Sequence, residues 1–309
     1  MKRFFLLLNL LIIGIALKAQ TIYSKAYGDP KSTPILFLHG GPGYNCVNFE
    51  VSTAQKLADN GFYVVVYDRR GEGRSKELKA DFTFKQTFDD INDLCKKHKL
   101  KKPNIIGHSF GGMVGTLYAK AYPKKINSLI LVGAPINLQQ SFKTIIESSR
   151  KIYEANKDSN SLFYLNMLEK MDTTTMEYAS YCFMNAMKNG FYSPKEPTDN
   201  AKKLYQELGS SELYGVAKEM TTPAPQGFSK NEKYTTIDLS GYIKDLVNKK
   251  MKVYGLYGQE DGLYSAQQVI ELNLILGSID NLAYFDHCSH SIFMDQQDKF
   301  IDALKKWLK

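Results

Sequence analysis

The chain has 309 residues, 43% of them apolar and 23% charged, which is enough for one large α/β domain with an insertion. The net charge of +8 does not point to nucleic acid. Its largest basic cluster, Lys96-Lys97-His98-Lys99-Leu100-Lys101-Lys102, closes a helical pattern just before Pro103 and has no interleaved aromatic residues, so it reads as a solvated cap complementing the helix dipole. Four widely spaced cysteines (Cys46, Cys95, Cys182 and Cys288) exclude a disulfide scaffold and show no metal-type pairing; separate buried thiols are the favoured reading, with their redox state left open.

In chain order, residues 1–19 read as a signal peptide. Lys2 and Arg3 precede an apolar run from Phe4 to Leu17 that is too short to span a bilayer comfortably, and Ala19 supplies a small residue at the cut. An uncleaved N-terminal anchor is the alternative. Loss of Lys2, Arg3 and Lys18 lowers the net charge to +5, and the mature chain is expected in the periplasm or outside the cell, with no further membrane span.

Continuous apolar runs predict strands buried on both faces at Pro34–Leu38, Phe62–Tyr67, Asn104–Ile106, Ser128–Val132, Lys252–Tyr257 and Leu282–Phe285. Between them, helical periods predict helices over Thr83–Leu100, Met113–Ala121, Ala266–Leu274 and Phe300–Leu308, the last carrying the only tryptophan, Trp307. This alternation predicts an α/β fold with a mostly parallel sheet and flanking helices. Residues 136–240 break it: they hold no buried-strand run, are rich in Tyr, Phe and Met, and carry prolines at 194, 197, 223 and 225. They are expected to form a helical cap inserted into a core made of 20–135 and 241–309.

The chemistry centres on Gly107-His108-Ser109-Phe110-Gly111, a G-x-S-x-G turn that lifts a serine hydroxyl above a sheet edge, provided the residues two before and two after it are small. Serine is a poor nucleophile at neutral pH, so it needs a base, a group to orient that base, and backbone donors for the oxyanion. The glycine-rich loop His39-Gly40-Gly41-Pro42-Gly43 follows the first buried strand, making the N–H groups of Gly41 and Phe110 the candidate donors. Asp261, in the turn Gly258-Gln259-Glu260-Asp261-Gly262, is the candidate orienting acid, with Glu260 solvated. Of five histidines, His98 lies in the lysine run, His39 opens the glycine loop and His108 supports the elbow. This leaves His287 and His290, both in the loop after Leu282–Phe285; His290, at the loop's return over the sheet, is the candidate base, and His287, next to the strand, is the expected structural residue. The order Ser109, Asp261, His290 is the Ser…Asp…His order of the α/β-hydrolase fold.

Five stretches, "HGGPG" at 39–43, "DRRGEGRS" at 68–75, "GHSFGG" at 107–112, "GQED" at 258–261 and "SHSIFMDQQDKF" at 289–300, resemble the proline iminopeptidase branch of the α/β-hydrolases over about residues 30–136 and 250–309. The resemblance implies a Ser109–Asp261–His290 triad, oxyanion donors at Gly41 and Phe110, and arginines in 68–75 that fix the floor of the site. It implies a peptidase that removes an N-terminal residue, such as proline, from small peptides without a metal or organic cofactor. Two departures stand out. Phe110 follows the serine where that branch commonly has tryptophan, and the cap lacks the branch's Trp-Glu pair, whose carboxylate helps hold the substrate's free amino group; Glu177, in "TMEYASYCF", is the candidate substitute. A carboxylesterase for apolar acyl esters is the alternative, and a catalytically inactive binding protein of the same fold the second.

Overall fold

A computed structural model describes residues 21–309, so the expected signal peptide at 1–19 lies outside the described residues. Seven strands form one sheet: β1 (Ser24–Tyr27), β2 (Thr33–Leu38), β3 (Phe62–Tyr67), β4 (Asn104–His108), β5 (Ser128–Val132), β6 (Lys252–Gly258) and β7 (Leu282–Phe285). Their spatial order is β1-β3-β2-β4-β5-β6-β7. Every pairing is parallel except that of the edge strand β1, which runs antiparallel to β3 with Ser24 opposite Tyr67. The six expected strands form within two residues of their expected ends. The edge strand β1 was not expected from the sequence: "SKAY" is short and half polar, and its backbone is ordered by β3.

Successive residues of a strand point to opposite faces, and both faces are covered. Leu36 and Leu38 pack into one core with Ile91, Val114, Ile243 and Leu272 of the helices Phe84–Lys97, Phe110–Ala121, Ser240–Asn248 and Ala266–Leu276. Ile35 and Phe37 pack into the other with Phe49, Leu57, Phe300 and Leu304, the last two from the helix Gln297–Leu308. Each such fully buried aliphatic side chain contributes roughly 1.5–3 kcal/mol. Helix starts follow capping chemistry. Thr83 accepts from the Gln86 N–H, and the helix it opens ends at Lys97 inside the basic cluster, with Lys96 and Lys97 in its last turn.

Between β5 and β6 the described chain is helical: Leu138–Ala155, Ser159–Leu168, Met176–Lys188, Asp199–Gly209, Tyr214–Ala217 and Pro223–Glu232. Asn137, Asp158, Thr175 and Thr198 cap four of these helices through their side chains. An isolated bridge between Asn137 and Asp238, with Leu239 N–H donating to Ile136 O at 2.8 Å, closes the segment at its base.

The strand order locates the site. From β2 the chain moves outward to β3, then crosses back to place β4 on the other side of β2. The loops that leave β2 and β4 therefore diverge, opening a crevice at the carboxyl ends of the two strands, the usual ligand position in open α/β sheets. Those are the loops that carry His39–Gly43 and Ser109.

Candidate active site

Ser109 sits between β4 and the helix Phe110–Ala121 with φ 52° and ψ −123°, a backbone region costly for any residue with a side chain. Its N–H donates to Val132 O at 2.9 Å. The glycines make the turn possible by close approach rather than by unusual dihedrals. A Cβ on Gly111 would collide with the Leu38 carbonyl, and one on Gly112 with Ala134. Strand, elbow and helix could not pack together with any side chain at these positions.

The loop after β2 is clamped from below. Arg69 donates from Nη1 to the His39 carbonyl and from Nη2 to the Gly40 carbonyl. It also forks onto Glu72, with Nε to Oε1 at 3.0 Å and Nη2 to Oε2 at 2.9 Å. Glu72 in turn accepts from the Gly43 N–H at 2.9 Å. Both side chains of the pair are buried, and burial pushes the Glu72 carboxyl up, against the pull of Arg69. Next to them, burial and then the Arg69 cation hold His39 well below its ordinary pKa. Neutral His39 accepts the Arg69 N–H at Nε2 (3.0 Å) and donates from Nδ1 to Gly40 O (2.9 Å). With the carbonyls of 39 and 40 drawn towards Arg69, the N–H groups of Gly41 and Phe110 have no protein acceptor among the described residues.

Asp261 and His290 meet because Gly258, at the end of β6, has no side chain: a Cβ there would strike the carbonyls of Cys288 and Ser289. Asp261 Oδ2 lies 2.8 Å from His290 Nδ1, while Oδ1 accepts the Leu263 N–H at 3.1 Å. Both residues are buried. This arrangement assigns the proton to Nδ1 and leaves Nε2 of His290 as an acceptor. Burial, then the neighbouring His290, pushes His108 down to about 3, so its neutral ring donates from Nε2 to the His290 carbonyl at 3.0 Å. Ser109 and His290 line the same cavity, and Ser109 Oγ makes no hydrogen bond to His290. Such contacts commonly tighten only when substrate is bound.

Three expected residues stand elsewhere. Glu177 is exposed in the first turn of Met176–Lys188 and does not border the cavity, so no substrate-facing carboxylate arises there. Met176, Ser180, Phe183, Met184 and Met187 of this helix border the cavity, and Glu177 lies at the edge of that stripe without joining the lining residues. Glu260 is not fully solvated; its Oε2 accepts the Lys195 N–H at 2.6 Å. His287 is exposed in a left-handed turn (φ 45°) rather than buried as a structural residue. We expect His290→Ala to abolish turnover, and His287→Ala to leave turnover and the urea unfolding midpoint nearly unchanged, within roughly 0.5 kcal/mol.

The cavity encloses about 620 Å³ above Ser109. Its walls come from the elbow, the glycine loop and the helices between β5 and β6, and among the described lining residues there is no Asp, Glu, Lys or Arg.

A family profile described as "alpha/beta hydrolase fold" matches residues 33–296, most of the chain. The chain belongs to the α/β-hydrolase fold family. A proline iminopeptidase of Clostridioides difficile is 26% identical over 299 residues, covering 89% of each chain. A proline iminopeptidase-related protein from Thermus thermophilus superposes with a TM-score of 0.67 at 19% identity, covering 93% of this chain and 94% of the other. A structure from Nitrososphaera gargenis, described among carboxylesterases, superposes with a TM-score of 0.59 at 19% identity, covering 93% of both chains. These two superpositions show the shared fold. The chain is a hydrolase similar to the proline iminopeptidases.

In this α/β hydrolase the sequence reading missed the residues that line the cavity from the helical segment, among them Tyr192, Tyr205, Met220 and Tyr234. They are spread over several helices and loops and share no short motif. The one signal available was the helical stripe of Met176, Ser180, Phe183, Met184 and Met187, which shows which face turns inward only once the packing is known. All four cysteines are unpaired: Cys46, Cys182 and Cys288 are buried, and Cys95 is half-buried.

Proposed function

We propose that the protein is an exported serine hydrolase acting on uncharged, apolar acyl esters of small carboxylic acids. Ser109 is the nucleophile. Its proton passes to His290 Nε2 as Oγ bonds to the acyl carbon, and Asp261 holds the ring in the required tautomer. The N–H groups of Gly41 and Phe110 take the oxyanion. The C–O bond breaks, the alcohol leaves with the proton from His290, and a water activated by the same nitrogen then releases the acid from Ser109. Export is read from residues 1–19 and would be tested by sequencing the N-terminus of the exported protein, with Gln20 expected first.

The observation that carries the substrate class is the uncharged cavity wall. An exopeptidase must take a substrate ammonium out of water, and without a facing carboxylate this costs several kcal/mol. Glu177 does not supply one. An apolar acyl group needs no such partner and suits the Met, Phe and Tyr of the wall.

The aminopeptidase reading keeps one specific support, the HGGPG loop at 39–43 shared with the branch it resembles, together with similarity to proline iminopeptidases along most of the chain. A panel of p-nitrophenyl acetate, butyrate and octanoate against proline and alanine p-nitroanilide separates the two. Ester turnover at least about 100-fold above arylamide turnover in kcat/KM is expected, a difference of roughly 2.7 kcal/mol in activation free energy. Efficient release of proline from the arylamide would return the assignment to the aminopeptidase.

A further inference from the structure

We propose that Asp295 and Tyr205 form a positioning pair for His290, linking the helical segment over the sheet to the general base. Asp295 lies at the end of the short helix Ile292–Asp295, five residues beyond His290, and is buried. Its Oδ2 accepts the N–H of Ser289, the residue immediately before His290, at 2.8 Å. Its Oδ1 accepts the Tyr205 hydroxyl at 2.6 Å. Tyr205 belongs to the helix Asp199–Gly209, and its ring borders the substrate cavity. The backbone of the base is thus held on both sides, by Asp295 at the N–H of 289 and by His108 at the carbonyl of 290. Two further contacts tie the same loop to the segment above: Ser289 Oγ donates to Phe191 O at 3.1 Å, and Thr198 Oγ1 to Asp295 O at 3.3 Å. A cavity-wall residue therefore sits one carboxylate away from the backbone that aims the imidazole.

Burial first, against its two hydrogen bonds, pushes the Asp295 carboxyl up to about 6. The ionisable groups acting on it are Tyr205 from the helix above, His290 and Asp261 from the two active-site loops, and Cys288 from its own loop. The nearest charges of the helix that follows are engaged elsewhere, Lys299 with Asp286 and Asp298 with Lys56, and the turn Glu50–Ala54 presents neutral Thr53 to the Phe293 carbonyl. Above about pH 6 both oxygens accept; as pH falls through that value a proton occupies one of them, and one of the two donors is released. The acid limb of the rate profile should then record Asp295 as well as the base.

The inference rests on His290 being the base. It is tested by pseudo-first-order labelling with a fluorophosphonate, in which Ser109 Oγ displaces fluoride from phosphorus and His290 takes the serine proton, so that no assumption about the natural substrate enters. For Asp295→Asn we expect the maximal labelling rate at pH 8 to fall about tenfold, on the scale of a sub-ångström misplacement of the base, with half-saturation unchanged and a shallower acid limb. For Tyr205→Phe the carboxylate loses its hydroxyl donor, so the acid limb should move to higher pH. The double variant should label like Asp295→Asn alone. Wild-type rates and pH profiles in both single variants, with only a lower Tm, would overturn the proposal, as would additive effects in the double variant. Should Asp295→Asn fail to fold, the acid-limb shift in Tyr205→Phe decides alone. Labelling that survives in Ser109→Ala or His290→Ala would instead overturn the triad assignment itself.

Discussion

Ser109→Ala should lose fluorophosphonate labelling completely and reduce ester turnover by a factor on the order of 10⁴–10⁶. On the proposed mechanism the size of the effect follows from the geometry: Asp261 is 2.8 Å from His290 Nδ1, and the elbow raises the Ser109 hydroxyl to the cavity that His290 also lines. Free N–H groups at Gly41 and Phe110 and the cavity walls would remain in the variant, so a residual rate above the uncatalysed reaction is expected from oxyanion stabilisation and binding alone. Activity-based labelling followed by gel fluorescence, with burst-phase kinetics on p-nitrophenyl butyrate, measures both quantities. Equal labelling of the variant and the parent would remove Ser109 from the mechanism and reopen the reading of the chain as a non-catalytic binding protein of this fold.

The second large effect is expected far from the hydroxyl, at Arg69. Arg69→Ala removes the partner of a fully buried carboxylate, and breaking such a pair costs about 3–5 kcal/mol because the remaining charge is left uncompensated. It also frees the carbonyls of His39 and Gly40, so the loop that presents the Gly41 N–H loses its anchor. Urea denaturation should report the lost stability, and kcat on the same ester should fall together with it. Arg69→Lys should not rescue either property, because a single ammonium cannot reach two carbonyls and fork onto Glu72 at once. A Lys variant of parental stability and rate would show that the pair supplies only charge and not the shape of the loop. The contrast with Ser109→Ala is informative, since that change should cost activity and almost no stability.

Both predictions depend on glycines whose role is close approach. Gly111 against the Leu38 carbonyl brings elbow and glycine loop together, and Gly258 against the carbonyls of 288 and 289 brings acid and base loops together. The sequence already marked the first of these, because G-x-S-x-G after a buried run is a local pattern with one physical reading. It did not show why Gly258 must be glycine, because the close neighbour lies some thirty residues further along the chain.

By itself the sequence determined the sheet and the elements that carry the chemistry. Runs such as Phe62–Tyr67 and Leu129–Val132 are continuously apolar, as a strand covered on both faces requires. Ser109, Asp261 and His290 stand out in the sequence as candidates because each follows such a run at a turn. Tertiary structure alone decided the rest. The edge strand β1 exists because β3 offers it a ladder, since "SKAY" has no apolar run of its own. Glu177 stays outside the cavity lining because the rotation of its helix is set by packing; the helical period shows which residues share a face but not which way that face turns. The uncharged cavity wall and the contact of Tyr205 with Asp295, ninety residues apart, come from loops and helices that meet only after the sheet has ordered them. Periodicity is a property of neighbours along the chain, whereas a site is made by residues brought together across it.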